Sequence, residues 1–473
     1  MTRTAAIIGG GVIGGGWAAR FALNGWNVRV FDPDPEAGRK IGAVMDNARR
    51  ALPMLVDTAL PPEGTLRLCA TLEEAAQGAD LVVEAVPERL DIKRQVYARI
   101  EAVNETAIIA SSTSGILPSE LQAEMTRPER LLVAHPFNPV YLLPLVELVA
   151  GRRTDPAHVE TARAIYSGLG MHPLHCRVEI EGFLSDRLQE ALWREALWLL
   201  HDDIATAQEI DAAIAYGPGL RWAQMGTMQT FHLAGGEGGM RAMLAMFGPC
   251  LKWPWTKLMD VPELTEDFID KVGDQCEAQA GGLSPRDLER IRDDNLVGII
   301  RALKQRDWGA GHVANTWQKR LMTLPEGTPP MVTQARVVPI DWTDINGHMN
   351  EGRYGQIFSD AAEVVMAMVG ADEDYIAAGM SYFTVETTVK YLAETHAGEK
   401  VEVHTLVTEG RGKKLRCLHE MKRASDGERL ATCDQLMLHV SLETRRTCEP
   451  PEHVRARVEA LAALHAPAVA ERE

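Results

Sequence analysis

The sequence lacks any run of about 20 apolar residues, the length that a membrane-spanning helix requires. It has 7 cysteines among 473 residues, and none of them form a Cys-x-x-Cys pair or stand with histidines at the spacing of zinc ligands. Positive charge is also scarce, because 49 Lys and Arg face 66 Asp and Glu, and the formal net charge is −17. These absences argue against a membrane span, a metal centre and a disulfide scaffold, and against a nucleic-acid or anionic-membrane partner.

The N-terminus carries no targeting pattern. It reads MTRT and passes directly into an apolar strand, which is typical of neither a secretory signal nor a transit peptide. With 46% hydrophobic and 24% charged residues, the composition is that of a soluble globular protein. We therefore expect a cytoplasmic chain with reduced thiols, and its length favours about three domains.

Strand and helix patterns change twice along the chain. In residues 1–180, short apolar strands alternate with helix-length segments, which is the pattern of an α/β domain with a doubly wound, parallel sheet. Residues 181–324 show helical patterns almost alone and predict an all-α domain. A Pro- and Gly-rich linker over 325–331 precedes a third domain over 332–473, where one helix and a meander of strands predict an α+β fold with a C-terminal tail.

The first strand leads into a glycine-rich turn. Gly9, Gly11 and Gly14 satisfy the G-x-G-x-x-G spacing between a strand and a helix, and Asp32 ends the next strand. Glycines let the turn close and let the backbone approach a pyrophosphate, while the helix N-terminus offers free N–H groups to the phosphates. The Asp32 carboxylate would accept hydrogen bonds from the adenine ribose and repel a 2′-phosphate. This context predicts NAD rather than NADP.

A second set of motifs occupies residues 111–147. It contains SSTS at 111–114, HPFNP at 135–139 and LVE at 145–147. Together with the glycine turn, this arrangement resembles the 3-hydroxyacyl-CoA dehydrogenase family over residues 4–320. The resemblance implies a Rossmann domain followed by a helical dimerisation domain, and therefore a homodimer.

The resemblance also assigns roles to individual residues. It implies that His135 is the general base that removes the substrate hydroxyl proton while hydride passes to the nicotinamide, and that Glu147 holds the other imidazole nitrogen. Ser114 would hydrogen-bond the reacting oxygen. Family positions around the nicotinamide and its ribose are matched by Glu88, Lys93 and Asn138.

Two departures from the acyl-CoA pattern point to a different substrate. The asparagine of the acyl-CoA members is replaced by Asp186, shortly after a Gly-Phe pair, and the basic residue usual before Leu-Val-Glu is missing. These changes count against a CoA thioester and fit a free 3-hydroxy acid that carries positive charge. Within the family the chain is most similar to the bacterial L-carnitine 3-dehydrogenases, which implies carnitine as the substrate.

A trimethylammonium group donates no hydrogen bond, so a carboxylate and aromatic faces are expected to recognise it. Most aromatic residues of the helical domain are expected in the core, and a minority at the substrate. The candidates are Trp193, Trp198, Trp222, Phe231, Trp253 and Trp255.

The third domain resembles the hotdog-fold thioesterases of the 4-hydroxybenzoyl-CoA type over residues 332–445. The resemblance rests on IDWTDINGHMN at residues 340–350, which leads into a helix. It implies that Asp344 acts as nucleophile or general base on a thioester, that loop and helix N–H groups polarise the thioester carbonyl, and that His348 and Asn350 assist. The alternative is that Asp344 only caps a helix or loop.

The fusion of the two domains suggests one pathway. The dehydrogenase would oxidise L-carnitine to 3-dehydrocarnitine, and the thioesterase would hydrolyse betainyl-CoA to glycine betaine and CoA after a separate enzyme has made that thioester. Two alternatives stay open. The dehydrogenase substrate could be a gulonate-like 3-hydroxy acid or a 3-hydroxyacyl-CoA, and the hotdog domain could serve another acyl-CoA or only dimerise or sense CoA.

Overall fold

A computed structural model describes residues 3–223, 226–234, 239–247 and 282–471, together with positions 256, 263, 265–268, 270, 271 and 274. The chain forms two compact units. The first, here termed the N-terminal unit, comprises Met1–Arg49 and Pro62–Trp317, and the second, the C-terminal unit, comprises Arg50–Pro61 and Gln318–Glu473. A short segment from the first part of the chain is thus a component of the C-terminal unit.

The N-terminal unit is built on an eight-stranded sheet in the order β3-β2-β1-β4-β5-β6-β7-β8. Its central strands are short buried apolar runs, as expected where helices cover both faces of a parallel sheet. The strands are β1 Thr4–Ile8, β2 Asn27–Phe31, β3 Leu66–Leu68, β4 Leu81–Glu84, β5 Ile108–Ser111, β6 Leu131–Pro136, β7 Leu145–Ala150 and β8 His172–Cys176.

The predicted parallel sheet is confirmed for β1 to β6 and is wrong at β7, which runs antiparallel to β6. The reason is the connection, residues 137–144, because a parallel neighbour would need a crossover of roughly a dozen residues or more. Strand β8 then lies parallel to β7. The reversal sets His135 of β6 directly opposite Glu147 of β7.

Helices alternate with these strands and then follow them without further strands in the described part of 185–321, which confirms the predicted all-α region. No helix among the described residues combines the length and apolar character needed to cross a membrane. The helices are α1 Val12–Ala22, α2 Ala37–Ala51, α3 Leu72–Ala76, α4 Leu90–Val103, α5 Pro118–Leu121, α6 Pro156–Gly168, α7 Ser185–His201, α8 Ala207–Ala215, α9 Pro218–Trp222, α10 Thr227–Ala234, α11 Gly239–Phe247, α12 Pro285–Lys304 and α13 Ala310–Leu321.

The C-terminal unit contains an antiparallel sheet in the order β10-β13-β12-β11-β9, with β14 paired to β13. A long helix, α14, buries Phe358 and Ala361 against Val403 and Met421 of the sheet. A long helix on an antiparallel sheet is the arrangement of a hotdog fold and confirms the predicted α+β class. The elements are β9 Met331–Val337, α14 Glu351–Met368, α15 Glu373–Ala377, β10 Met380–Tyr391, β11 Lys400–Arg411, β12 Lys414–Arg423, β13 Arg429–Ser441, β14 Arg446–Thr447 and α16 Glu452–Ala470.

Helix α16 forms where a C-terminal tail is predicted from the sequence. It buries Val458 and His465 within the C-terminal unit. The ring of His465 accepts the N–H of Val407 at Nδ1, 2.9 Å away, and donates from Nε2 to the carbonyl of Gly327, 3.0 Å away. Because Nδ1 accepts a hydrogen bond, the ring is neutral, and burial lowers the pKa of His465 in the same sense; the ring connects a strand to the residues of the predicted linker.

Candidate active sites

In the glycine turn between β1 and α1, two positions have no room for a side chain. Gly9 adopts φ +103°, and a Cβ there would lie 2.4 Å from the carbonyl oxygen of Ala85. A Cβ on Gly14 would lie 1.8 Å from the carbonyl oxygen of Gly9. A Cβ on Gly11, at the N-terminal end of α1, would meet no described atom within 4 Å. The turn therefore closes on glycines and leaves open space at the helix N-terminus, which fits a pyrophosphate.

Asp32 follows β2 and is tied to the mouth of this turn. Its Oδ2 accepts the N–H of Gly10 at 2.5 Å, and its Oδ1 accepts the N–H of Asp34 at 2.7 Å. A carboxylate at this edge of a Rossmann sheet hydrogen-bonds the adenine ribose of NAD and disfavours a 2′-phosphate. The residues present fit NAD, as predicted.

The carboxylate of Glu88 is hydrogen-bonded to the backbone at Ser114. Its Oε1 accepts the N–H groups of Ser114 at 3.0 Å and Gly115 at 3.2 Å, as well as the hydroxyl of Thr113. Its Oε2 lies 3.3 Å from Nζ of Lys93. Burial acts to raise the pKa of Glu88, but these hydrogen bonds and the ammonium outweigh it and lower the pKa. Glu88 is therefore an anion that fixes the loop on which Ser114 is exposed.

Glu84 is a residue of this site that the sequence analysis missed. Its side chain is fully buried, and Oε1 accepts from Nζ of Lys93 at 2.8 Å and from the N–H of Val86 at 2.9 Å. Oε2 accepts from the hydroxyls of Tyr97 at 2.6 Å and Ser111 at 2.7 Å. In the sequence, the feature that could have indicated it is a carboxylate at the end of an apolar strand. Glu84 holds the buried ammonium of Lys93 in place.

His135 and Glu147 meet across the β6–β7 pair. Nδ1 of His135 lies 3.0 Å from Oε2 of Glu147, and because a carboxylate only accepts, Nδ1 carries the proton. Oε1 of Glu147 accepts the N–H groups of Leu184 at 3.1 Å and Ser185 at 3.0 Å, at the start of α7. Burial acts to raise the pKa of Glu147, but the bonds from His135 and Ser185 lower it. The imidazole is thus oriented by an ionised carboxylate and presents Nε2.

Two phenylalanines border the imidazole. The ring centroid of His135 lies 5.2 Å from that of Phe137 and 5.6 Å from that of Phe183. Phe183 follows Gly182, and both have positive φ, 47° and 67°. This turn directs the start of α7 toward Glu147, so the Gly-Phe pair has a structural purpose next to the His135 ring.

Asp186 lies on the other side of the imidazole. Its Oδ2 is 3.5 Å from Nε2 of His135, and its side chain is 20% exposed. Burial raises the pKa of Asp186, and Glu147 adds to this, whereas His135 acts in the opposite direction. The ring therefore has a carboxylate at each nitrogen, and Asn138 is exposed three residues beyond it.

The aromatic candidates of the helical region are not uniformly core. Trp193 is 52% exposed, Trp222 40% and Phe231 45%, while Trp198 is half-buried. The remaining two candidates, Trp253 and Trp255, lie outside the described residues. The expectation that most of these residues are core is wrong for the three exposed rings.

In the C-terminal unit, Asp344 lies in a loop closed by a bridge between Thr343 and Met349. Its Oδ1 accepts the N–H of Asn346 at 2.8 Å, which uses one of the two carboxylate oxygens. The capping residue of α14 is Asn350, whose side chain accepts the N–H of Gly352 at 3.0 Å. Asp344 thus supports its own loop, and the helix cap is a different residue.

Sequence models of known families cover most of the chain. Residues 4–179 match the NAD binding domain of 3-hydroxyacyl-CoA dehydrogenase, and residues 182–264 match the C-terminal domain of the same enzyme. Residues 338–458 match the thioesterase-like superfamily.

Relatives match the chain over nearly its full length. A protein of Ruegeria pomeroyi named L-carnitine dehydrogenase/betainyl-CoA thioesterase is 54% identical, over 98% of this chain and 96% of that protein. A protein of Rhizobium meliloti with the same name is 48% identical, over 98% and 96%. An L-carnitine dehydrogenase of Mesorhizobium japonicum is 55% identical over 70% of this chain and 93% of its own length.

Among solved structures, an NAD-dependent 5-formyl-3-hydroxy-2-methylpyridine 4-carboxylic acid 5-dehydrogenase is 30% identical. The match covers 64% of this chain and 99% of the chain of that structure, with a TM-score of 0.55.

Proposed function

This chain belongs to the L-carnitine dehydrogenase/betainyl-CoA thioesterase family, and from that premise we propose how its two units perform two reactions. The N-terminal unit oxidises L-carnitine to 3-dehydrocarnitine with NAD. The C-terminal unit hydrolyses betainyl-CoA to glycine betaine and CoA. The observation that carries the first assignment is the imidazole of His135 between the carboxylates of Glu147 and Asp186.

In the proposed oxidation, the 3-hydroxyl of carnitine occupies the position at Nε2 of His135 that Asp186 faces in this structure. Nε2 takes the hydroxyl proton, and Glu147 stabilises the resulting imidazolium through Nδ1. The exposed hydroxyl of Ser114 hydrogen-bonds the reacting oxygen. The glycine turn and Asp32 would hold NAD, which would supply the acceptor for the hydride that leaves C3.

The cofactor is held by residues already arranged for it. The glycine turn of Gly9, Gly11 and Gly14 takes the pyrophosphate, and Asp32 takes the adenine ribose. By the family motif, Glu88, Lys93 and Asn138 would hold the nicotinamide end. The ammonium of Lys93 is paired with Glu84 and Glu88, and Asn138 is exposed.

Asp186 selects for the charge of the substrate. A carboxylate 3.5 Å from the reacting nitrogen gives the site an excess of negative charge, which attracts a quaternary ammonium group. An acyl-CoA, whose phosphates are anionic, gains nothing from this carboxylate. Trp193, on the same helix as Asp186, and Trp222 are the exposed aromatic candidates for cation–π contacts, which are worth about 0.5–1 kcal/mol each.

For the hydrolysis, Asp344 attacks the thioester carbonyl and expels the CoA thiolate, and water then cleaves the acyl–carboxylate anhydride; alternatively, Asp344 takes a proton from a water that attacks the carbonyl directly and passes it to the departing thiolate. The hydrogen bond from Asn346 orients its carboxylate. The N-terminus of α14, capped by Asn350, directs N–H groups toward the oxygen on which negative charge develops. His348, in the same loop, assists.

We further propose a homodimer. Strand β10 lies at an edge of its sheet, with Phe383, Val385 and Tyr391 exposed by 40%, 54% and 53%. A long apolar edge strand is stabilised by pairing with a second copy. A cytoplasmic location is proposed because the described cysteines are all unpaired, which fits a reducing compartment.

The test is a panel of four substrates with one protein. NADH formation is measured with L-carnitine, L-gulonate and 3-hydroxybutyryl-CoA, and CoA release is measured with betainyl-CoA. We expect NADH with carnitine and CoA from betainyl-CoA. A preference for gulonate or for the acyl-CoA would overturn the carnitine assignment, and absence of CoA release would leave the hotdog fold without the proposed hydrolase activity.

A further inference from the structure

Three side chains with metal-binding groups converge beside the loop of Asp344. They are His348, Glu394 and His396, and one ligand atom of each lies within 4.8 Å of the other two. Nε2 of His348 lies 3.3 Å from Oε2 of Glu394, and the two imidazole centroids are 4.9 Å apart. We propose that these residues form a binding site for a divalent transition-metal ion, with Zn²⁺ as the best match.

The backbone holds the two histidines together before any ion binds. His348 and His396 are partners in an antiparallel bridge, which places their side chains next to each other. The N–H of Met349 donates to the carbonyl of Thr395 at 2.8 Å, and the N–H of His396 donates to Glu399 at 2.9 Å. The two histidines are therefore not independent surface side chains but part of one hydrogen-bonded strand junction.

The tautomer of His396 suits a ligand. Its Nδ1 lies 3.1 Å from the carbonyl oxygen of Gly347, and because a carbonyl only accepts, Nδ1 carries the proton. Nε2 then has a lone pair. Histidines that bind metals commonly donate their other ring N–H to such a partner, which fixes the ring orientation.

Distances and donor types indicate the kind of ion. Tetrahedral Zn²⁺ with ligands at about 2.0–2.2 Å separates neighbouring donors by about 3.3–3.6 Å. The 3.3 Å between His348 and Glu394 already meets this condition, and the side chain of Glu394 is 61% exposed and can rotate to close the wider gaps. Two imidazoles and one carboxylate favour Zn²⁺ over Mg²⁺ or Ca²⁺, which prefer oxygen ligands. Three protein ligands leave one position for water.

The charges around the site favour a cation. Arg423 donates to the carbonyl of Glu394, but the same guanidinium is paired with Glu399 at 3.3 Å, Asp426 at 2.9 Å and Glu428 at 2.5 Å. Three carboxylates therefore surround one guanidinium, so negative charge exceeds positive charge here. Its charge is neutralised by partners other than the proposed ligands.

The experiment compares Co²⁺ and Zn²⁺ binding by metal-stripped full-length protein and three variants. His396→Ala and Glu394→Gln each remove one ligand. His312→Ala is the matched control, because His312 is an exposed imidazole 2.9 Å from the carboxylate of Asp307 and belongs to no group of three such ligands among the described residues. Co²⁺ reports tetrahedral coordination by its visible absorption, and calorimetry gives the affinity for Zn²⁺.

We expect the wild type and His312→Ala to bind one equivalent of Co²⁺ with a tetrahedral spectrum. Each ligand variant should lose that equivalent or bind Zn²⁺ at least about tenfold more weakly, since even changing the partner of a ligand costs 10–100-fold. Equal binding by the wild type and both ligand variants, or no tetrahedral Co²⁺ spectrum in the wild type, would overturn the proposal. If His396→Ala does not fold, the exposed position of Glu394 still gives a decisive variant.

Discussion

His135 and Glu147 are direct cross-strand neighbours, with Nδ1 and Oε2 3.0 Å apart. Opposed residues of an antiparallel pair place their side chains on the same face of the sheet. The orientation of the His135 ring is therefore set by strand register, and the start of α7 holds the second oxygen of Glu147. We expect the activity to be sensitive to the chemistry of Glu147 and not only to its size.

Glu147→Gln tests this relationship. A glutamine amide can turn its N–H toward Nδ1, which removes the preference for the productive tautomer and the charge that stabilises the imidazolium. We expect kcat for carnitine oxidation to fall by roughly 10²–10⁴-fold, close to the effect of His135→Ala. NAD affinity, measured by calorimetry, should stay unchanged in both variants, and a normal kcat in Glu147→Gln would rule out the orienting role.

Asp186→Asn tests recognition of the substrate charge. The variant keeps the shape of the side chain and removes its negative charge next to Nε2. We expect KM for L-carnitine to rise by about tenfold, equivalent to about 1.4 kcal/mol, and KM for uncharged 3-hydroxybutyrate amide to change little. Steady-state NADH formation gives both values. If KM rises equally for both substrates, the Asp186 carboxylate does not recognise the positive charge of carnitine.

Asp344→Asn separates the two activities. Loss of the nucleophile or base should lower CoA release from betainyl-CoA by roughly 10²-fold or more, while carnitine oxidation continues at the wild-type rate. Asp341→Asn, an exposed carboxylate three residues earlier, serves as the control and should hydrolyse normally. Full hydrolysis by Asp344→Asn would reduce this residue to its role in the loop.

The stability of the C-terminal unit should depend on pH through His419. This ring is fully buried, and Nδ1 lies 2.8 Å from the hydroxyl of Thr405. Burial lowers the pKa of His419 from 6.5 to about 3. Between these values the unfolded chain binds a proton that the folded chain does not, so the free energy of unfolding falls as pH drops, by at most about 1.4 kcal/mol per pH unit.

His419→Gln removes this titration. Urea unfolding between pH 6.5 and 4 should therefore show a steeper decline of the unfolding free energy in the wild type than in the variant. His404→Gln is a useful comparison, because that half-buried ring has a pKa lowered in the same direction. Identical slopes in wild type and His419→Gln would mean that the buried ring is not neutral in the folded state.

The parts of the site that sequence could predict depend on local spacing. The glycine turn and Asp32 follow from a strand, a turn and a helix in fixed order, and the structure places them as that pattern requires. The pairing of His135 with Glu147 is predicted only through the family resemblance. Their separation along the chain gave no indication that they would be opposed on neighbouring strands.

The features that could not be predicted depend on how one segment of the chain meets another in the fold. The reversal at β7 is decided by the length of residues 137–144, which reads as an ordinary loop. The burial of Glu84 depends on three side chains that lie 9, 13 and 27 residues further along the chain, of which Lys93 is the charged one. A carboxylate at the end of a strand is usually solvated, so its sequence position alone carries no sign of this network.

The neutral ring of His465 has a consequence for the gene. A premature stop codon before residue 452 would delete α16 and leave the amide of Val407 and the carbonyl of Gly327 without the imidazole that joins them. The truncated product would also bare the apolar surface that Val458 covers. Such a product should precipitate during expression, so we expect codons 452–473 to be as necessary to the fold of the C-terminal unit as those for the loop of Asp344.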